Sequence, residues 1–358
     1  MSILGLDIGG ANIKAADITG KSVTRPFAIW RHRERLKDAI TSMLAEFPQT
    51  DQIALTMTAE LADCFSTKSE GVQFIVDAVE ASAQESFPGG TNSAVALKTA
   101  KANVLIWTTD GHFITSRQAR EAVRKVAAAN WHALATWCGT LAPGGPALLL
   151  DIGTTTTDII PMVDGRPTPV GLTDVARLQS GELTYSGIRR TPLCAVAHSV
   201  PFHDGYCALA AELFATTLDA HLLLDHLPED AHDLETADGR PATKAAACDR
   251  IARMVCCDRD EVTLEEAVQI AKFLADVQRQ RLAGSLERVA QRLPGPCQSV
   301  IVSGSGHFLV DQLVRENRHT RQSAMISLAD CLSPGVAEAA CAYALARLAS
   351  NAADRRSD

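Results

Sequence analysis

The run Asp7-Ile-Gly-Gly-Ala-Asn12 follows an apolar stretch near the N-terminus and returns, after a second apolar stretch, as Asp151-Ile-Gly-Thr-Thr-Thr-Thr-Asp158. In each copy an aspartate closes a strand, and the glycines make a tight turn whose backbone amides can approach an anion closely. A single Asp-x-Gly at a strand end is an ordinary hairpin turn. Two copies, each opening a strand–turn–strand unit, are the trace of a duplicated unit. They predict an α/β chain in two halves, each offering a strand-end turn to one ligand.

Length agrees, because 358 residues exceed the roughly 250–300 at which a single core stops growing. Pro143-Gly-Gly-Pro146 resists both helix and strand and is read as the hinge, 143–146. The expected division is a first domain at 1–142, completed by a C-terminal helix at 334–350, and a second at 147–333. A formal net charge of -8 argues against a nucleic-acid-tracking surface. No apolar run approaches the roughly 20 residues of a membrane span, and no secretory signal precedes the first strand. Ten scattered cysteines without a CxxC pair read as reduced core thiols. The expectation is a soluble, cytoplasmic protein with small-molecule partners, self-association being left open.

Alternation and turn residues predict strands at 3–7, 13–18, 23–29, 53–57, 94–97 and 104–107, with helices at 34–46 and 72–84. Thr115 and Gln118 form a capping box before a helix through 129. The second half repeats the hairpin at 147–151 and 157–163, with a turn at Asp164-Gly165, and continues with an apolar helix at 206–224 and a polar loop through Gly239. Thr263 and Glu266 cap a long helix, and a strand at 299–302 runs into Ser303-Gly304-Ser305-Gly306.

An aspartate repels phosphate, so the plausible partner of Asp7 and Asp151 is a hydrated Mg²⁺ between carboxylate and phosphate. Amides of Gly9, Gly10, Gly153 and Thr154, the Asn12 position, the Thr154 and Thr155 hydroxyls and the Lys14 ammonium are the candidate phosphate donors. The two turns with the later Gly-Ser-Gly loop resemble the phosphate-1, phosphate-2 and adenosine motifs of the actin, sugar-kinase and heat-shock ATPase superfamily. That resemblance spans nearly the whole chain and implies two ribonuclease H-like domains with an interdomain ligand cleft. Ser303, Gly304, Ser305 and Gly306 would then meet a nucleotide or substrate, and ATP stays an open alternative.

Three further blocks narrow the resemblance: Thr56-Met-Thr-Ala-Glu60-Leu61, Gly181-Glu-Leu-Thr-Tyr-Ser-Gly187 with Arg189-Arg-Thr-Pro192, and Phe214-Ala-Thr-Thr-Leu-Asp219. Together with Asp238-Gly-Arg240 and the stretch from Arg250 to Asp258, they resemble the hydantoinase/oxoprolinase-like proteins linked to tetrahydromethanopterin C1 transfer. The resemblance implies a transferase that joins a furfuryl diphosphate to a phenol of the tyramine type and releases diphosphate, in methanofuran biosynthesis. Arg189 and Arg190 become additional diphosphate clamps. Glu182 is a candidate base for the phenol, or equally the partner of Arg189 or Arg190 in a salt bridge. Tyr185 lines the aromatic pocket or simply packs, and Glu60, just past a strand end, is a substrate contact. The competing expectations are an ATP-dependent ring-opening hydrolase or small-molecule kinase, and a non-catalytic actin-like switch.

Overall fold

The computed structural model describes residues 2–87 and 103–354; the strand expected at 94–97 lies outside them. Fourteen strands are defined among the described residues. The first group is β1 (Ile3–Ile8), β2 (Asn12–Asp17), β3 (Ser22–Pro26), β4 (Gln52–Met57), β5 (Asn103–Trp107) and β6 (Phe113–Thr115). They form one sheet in the order β3-β2-β1-β4-β5-β6, the β1–β4 and β4–β5 pairs being parallel. The second group is β7 (Pro146–Ile152), β8 (Thr157–Val163), β9 (Arg166–Pro167), β10 (Leu183–Thr184), β11 (Ser199–Phe202), β12 (Gly205–Ala208), β13 (Ser299–Ser303) and β14 (Ala324–Ser327). Its main sheet runs β10-β8-β7-β13-β14, with β9 paired to β8. Both sheets therefore place an antiparallel hairpin beside parallel strands in the ribonuclease H-like order of the actin, sugar-kinase and heat-shock ATPase fold.

Strand alternation decides what each sheet face meets. On one side of the first sheet, Leu4, Leu6 and Ile8 join Leu36, Ile40 and Met43 of helix Leu36–Leu44 and Val72, Ile75 and Val76 of helix Lys68–Ser86. On one side of the second, Leu148, Leu150 and Val300 join Leu282, Leu286 and Val289 of helix Leu264–Ala290 and Leu309 and Leu313 of helix His307–Glu316. The inner faces share a middle layer made by helices Asn130–Cys138 and Ala340–Asp354. There Ala16 of the first sheet and Leu149, Ile160 and Ile301 of the second enclose Trp131, Leu134, Ala342 and Tyr343 in one apolar cluster. The chain's last helix thus packs against β1 and β2. Pro143-Gly-Gly-Pro146 is fastened down: the Gly145 amide donates to Asp164 Oδ1 at 2.9 Å.

Two helix expectations are corrected. No helix spans 206–224; the chain makes the β11–β12 hairpin around His203-Asp204 and enters helix Thr217–Leu223 only where Asp219 accepts the Thr216 amide at 2.9 Å. The Thr115/Gln118 capping box is present, but its helix stops at Glu121. The segment Val123–Val126 and then Ala128, at φ 47°, separate it from helix Asn130–Cys138.

The β11–β12 hairpin, helix Thr217–Leu223 and helix Lys244–Met254 form a satellite core on the first turns of helix Leu264–Ala290, through Leu218, Leu222, Ile251, Ile270 and Leu274. The fully buried Arg250 is held by Asp219 at 2.7 Å and Asp238 at 3.0 Å. The Asp238-Gly-Arg240 and Arg250 blocks are accordingly an ion-pair network inside this lobe.

Candidate functional site

The alternation that buries Ile3, Ala16 and Ala54 toward the middle layer also points Asp7, Lys14 and Thr56 there from the strand ends. In the second sheet the inward parity of Leu149, Ile160 and Ile301 carries Asp151, Asp158 and Ser303 to the same layer. Register adds the pairs Asp7↔Lys14, Asp7↔Thr56, Asp151↔Asp158 and Ser303↔Asp151. Asp7 and Asp151 are thereby brought together across the middle of the molecule, each feeling the charge of Lys14.

Burial pushes both carboxyls up to about 6. Lys14 opposes this at both, the Cys341 thiol opposes it at Asp7, Ser303 opposes it at Asp151, and Asp158 adds to it at Asp151. Lys14 Nζ donates to the Glu338 carbonyl at 2.8 Å. Asp7 Oδ1 and Thr56 Oγ1 are buried without a hydrogen-bond partner among the described residues. Unpaired buried oxygens of this kind mark a place for an ion, a water or a ligand.

The two turns are built alike. The Gly9 amide donates to the Asn12 carbonyl and the Gly153 amide to the Thr156 carbonyl, both at 2.9 Å. These two amides close the turns and are not free for an anion, contrary to expectation. The amides left without a partner among the described residues are those of Gly10 and Ala11 in the first turn, and Thr154, Thr155 and Thr156 in the second. Thr154 and Thr155 hydroxyls lie 3.5 Å apart on the same turn.

The segment 187–191 leans directly on the second turn: Arg189 and Arg190 amides both donate to the Thr154 carbonyl at 3.0 Å, and Ile188 to that of Gly153 at 3.1 Å. A Cβ on Gly187 would collide with the Thr154–Thr155 peptide, so only glycine permits this approach. Thr217 Oγ1 and Gln278 Nε2 hold the Gly187 carbonyl at 2.7 and 2.9 Å. Arg189 pairs with Asp233. Arg190 reaches the other half, its guanidinium lying 4.7 Å from the Trp30 ring centroid. Helix Ile29–His32, which carries Trp30, is tied to the first turn by the Ile29 amide on the Gly10 carbonyl at 3.2 Å.

The Ser303-Gly-Ser-Gly306 loop also meets the second turn. Gly304 adopts φ +85° with its Cβ position 2.6 Å from Asp151 Oδ1, Gly306 donates to the Ile152 carbonyl at 2.9 Å, and Ser305 is exposed.

In the 181–187 block the expectation for Glu182 is corrected. Glu182 is fully buried and its carboxylate is committed, accepting the Val170 amide at 2.9 Å, the Gly171 amide at 3.4 Å and Arg292 Nη2 at 2.8 Å. It is neither available as a base nor paired with Arg189 or Arg190. Tyr185 is 63% exposed and lines a groove of about 450 Å³ with Leu178, Arg281 and Arg288, on the flank of helix Leu264–Ala290.

Sequence reasoning missed the polar chain continuing from Asp151. Asp158 binds Arg177, which reaches Asp174 at 3.3 Å and lies 4.1 Å from the Trp131 ring centroid. Asp158 closes the second motif and could have been read from it; Arg177 carries no local signal. At the end of this chain Asp174 faces Glu60 of the first half. Glu60 is 1% exposed, its carboxyl pushed up to about 7, chiefly by burial, and its Oε2 has no partner among the described residues. Among the described residues, no group of three or more His, Cys, Asp or Glu is arranged around a metal position. No helix among them is long and apolar enough to cross a membrane.

The Hydantoinase/oxoprolinase family model matches residues 51–351, most of the chain. The chain belongs to that family. It is 30% identical over 356 residues to the (4-{4-[2-(gamma-L-glutamylamino)ethyl]phenoxymethyl}furan-2-yl)methanamine synthase of Methanocaldococcus jannaschii, with 99% of both proteins covered. A protein of the same name from Methanococcus vannielii is 30% identical over 208 residues, 57% of this chain and 90% of the relative. Among solved structures, nucleotide-free acetone carboxylase superposes with a TM-score of 0.57 at 12% identity, over 97% of this chain and 70% of that one, which shows the shared fold.

Proposed function

We propose that this member of the hydantoinase/oxoprolinase family is a transferase that condenses a furfuryl diphosphate with a phenolic, tyramine- or tyrosine-type acceptor and releases diphosphate, in the cytoplasmic biosynthesis of a methanofuran-type cofactor. The observation that carries this reading is the 30% identity over 99% of the chain to a synthase whose product is a furan joined to a phenol by an ether. The division into 1–142 with 334–350, 147–333 and a hinge at 143–146 is part of the same reading.

A furan ring delocalises the charge left on its methylene as diphosphate departs. The enzyme's work is then to stabilise the leaving group and aim the phenolic oxygen. The unpaired amides of Gly10 and Thr154, with the Thr154 and Thr155 hydroxyls, supply donors from opposite sheets. Lys14 supplies charge between them, and Arg190 bridges the two turns.

The oxygen donors fit a hard divalent cation. Asp7 and Asp151 converge, and Asp7 Oδ1 is unpaired. Asp7 and Asp151 would hold Mg²⁺, whose charge, when bound, would offset that of the departing diphosphate.

The test is mass spectrometry of the ether alongside diphosphate release, with Mg²⁺ and an (aminomethyl)furfuryl diphosphate, with and without tyramine and with and without ATP. Ether and diphosphate are expected only when the phenol is present, and without any need for ATP. Failure to form ether across a panel of phenols, together with ATP hydrolysis on adding a cyclic amide, would replace this reading with ring opening.

A further inference from the structure

Resting on that transferase reading, we propose that Glu60 is the base that takes the proton from the acceptor phenol. Glu60 stands in the single turn Ala59–Leu61 that follows β4, at the same sheet edge as Asp7. Thr58, two residues earlier, donates its amide to the Ile8 carbonyl at 3.0 Å and sets its hydroxyl 3.7 Å from the Gly9 Cβ position, so the turn abuts the first anion turn. Helix Lys68–Ser86 fixes it from behind: at Gly71 its backbone touches that of Glu60 so closely that any Cβ would collide.

The other carboxylates around the cleft are committed. Asp158 and Asp174 hold Arg177, and Glu182 holds Arg292 with two amides. Asp7 and Asp151 share the charge of Lys14 and are the fit for the cation. Among the described residues, Glu60 Oε2 and Asp7 Oδ1 are the buried carboxylate oxygens of this region without a hydrogen-bond partner. The backbone at Glu60 itself and at Ala128 meets part of the carboxyl's need, and a carboxyl oxygen left unpaired inside a protein is costly unless it is kept for a ligand or a reaction.

The charged groups facing Glu60 are Lys68 at the start of its backing helix and Asp174 from the opposite half. Burial above all pushes the carboxyl up and Asp174 adds to it, while hydrogen bonds from the backbone at Glu60 and Ala128 and the charge of Lys68 pull it down; the balance near 7 suits a base working at neutral pH on a phenol near 10. The Asp174 segment belongs to the other half, so Glu60 lies where charge from both halves reaches it. Leu61, 60% exposed, and Val175, 65% exposed, are the sequence neighbours of Glu60 and Asp174 and leave apolar surface next to each in the chain.

In the step, the furfuryl carbon–oxygen bond breaks with its electron pair leaving on diphosphate. The phenolic oxygen forms the new bond to that methylene carbon, and the phenol proton passes to Glu60 Oε2. No oxidant or nucleotide is consumed.

The experiment compares wild type, Glu60→Gln and Glu60→Asp with Mg²⁺, the furfuryl diphosphate and a series of tyramines whose rings carry none to four fluorines. Wild-type kcat/KM is expected to rise with pH through about 7, the carboxyl being protonated and idle below it. Glu60→Gln should lose ether formation about 100-fold with tyramine and lose that rising limb, yet bind the furfuryl diphosphate with unchanged Kd. Its deficit should shrink toward wild type as fluorination ionises the acceptor by itself, whereas a merely structural role would penalise every acceptor alike. Glu60→Asp should retain the limb at reduced rate, and it serves as the readout if the glutamine variant does not fold. A retained limb in Glu60→Gln, or an equal deficit across the series, with ether still formed by wild type, overturns the role of Glu60 and leaves the transferase reading standing. Absence of ether with wild type overturns both.

Discussion

The Arg190 guanidinium rests 4.7 Å from the centroid of the Trp30 ring, so a side chain anchored on the second Asp-x-Gly turn lies on one anchored to the first. Such a contact contributes about 0.5–2 kcal/mol and depends on the planar cation. An arginine so placed lies next to both turns, where the proposed diphosphate would be held. Arg190→Ala is expected to raise KM for the furfuryl diphosphate about tenfold, and Arg190→Lys to restore little of it, since lysine lacks the fork that grips phosphate in two places. Steady-state kinetics at fixed acceptor will check this; an unchanged KM in both variants would remove Arg190 from the site.

Asp7 and Asp151 are buried carboxyls that cost the fold stability at neutral pH. Each has its folded pKa raised from 3.8 to about 6, so the folded state holds more protons than the unfolded chain between those values. Stability associated with these groups is fully present below about 4 and falls as pH rises to about 6. Asp7→Asn and Asp151→Asn should therefore unfold at higher temperature than wild type at pH 7.5 without ligand, by an amount on the order of 1–2 kcal/mol, with the gain vanishing near pH 4. Turnover should fall by at least about 100-fold in either variant. Thermal melts at the two pH values, alongside the ether assay, test both halves of the statement.

Much of this site can be read from the chain because its elements are local. The twin Asp-x-Gly turns, the Thr115/Gln118 and Thr263/Glu266 capping boxes, and the strand entering Ser303-Gly304 each announce themselves within a few residues. What escapes is set by distant partners. Glu182 looks free until Arg292 arrives on the turn after a 27-residue helix, and Arg177 is an unremarkable helix residue until Asp158 and Trp131 close around it. The apolar stretch after Tyr206 has helical density, but Asp204-Gly205 favours a hairpin turn and the capping of Thr216 by Asp219 delays the helix. Hydrophobic density alone weighs too heavily there.

Gly187 is where the arginine segment meets the second turn, and a methyl group has no room between it and the Thr154–Thr155 peptide. Gly187→Ala should push the Arg189 and Arg190 amides off the Thr154 carbonyl, costing about 2 kcal/mol and weakening diphosphate binding by an order of magnitude. Urea unfolding and calorimetric titration with inorganic diphosphate and Mg²⁺ will measure the two effects. Wild-type affinity in the folded variant would show that the segment does not shape the anion site.

Glu182 separates a structural carboxylate from a catalytic one. Its charge is satisfied by Arg292, about a third exposed, and by the amides of Val170 and Gly171, which it ties to the start of the segment carrying Asp174 and Arg177. Glu182→Gln keeps the shape, removes the charge and turns one acceptor into a donor facing an amide or the guanidinium. Partial exposure of Arg292 lets water take over part of the lost pairing, so the expected loss is about 2 kcal/mol rather than the larger cost of breaking a wholly buried pair. The folded variant should make ether at a rate within about twofold of wild type and keep the rising limb near pH 7 assigned to Glu60. Chemical denaturation gives the first quantity, and the pH profile of the ether assay gives the second. Loss of that limb in Glu182→Gln, with stability intact, would return the role of base to Glu182.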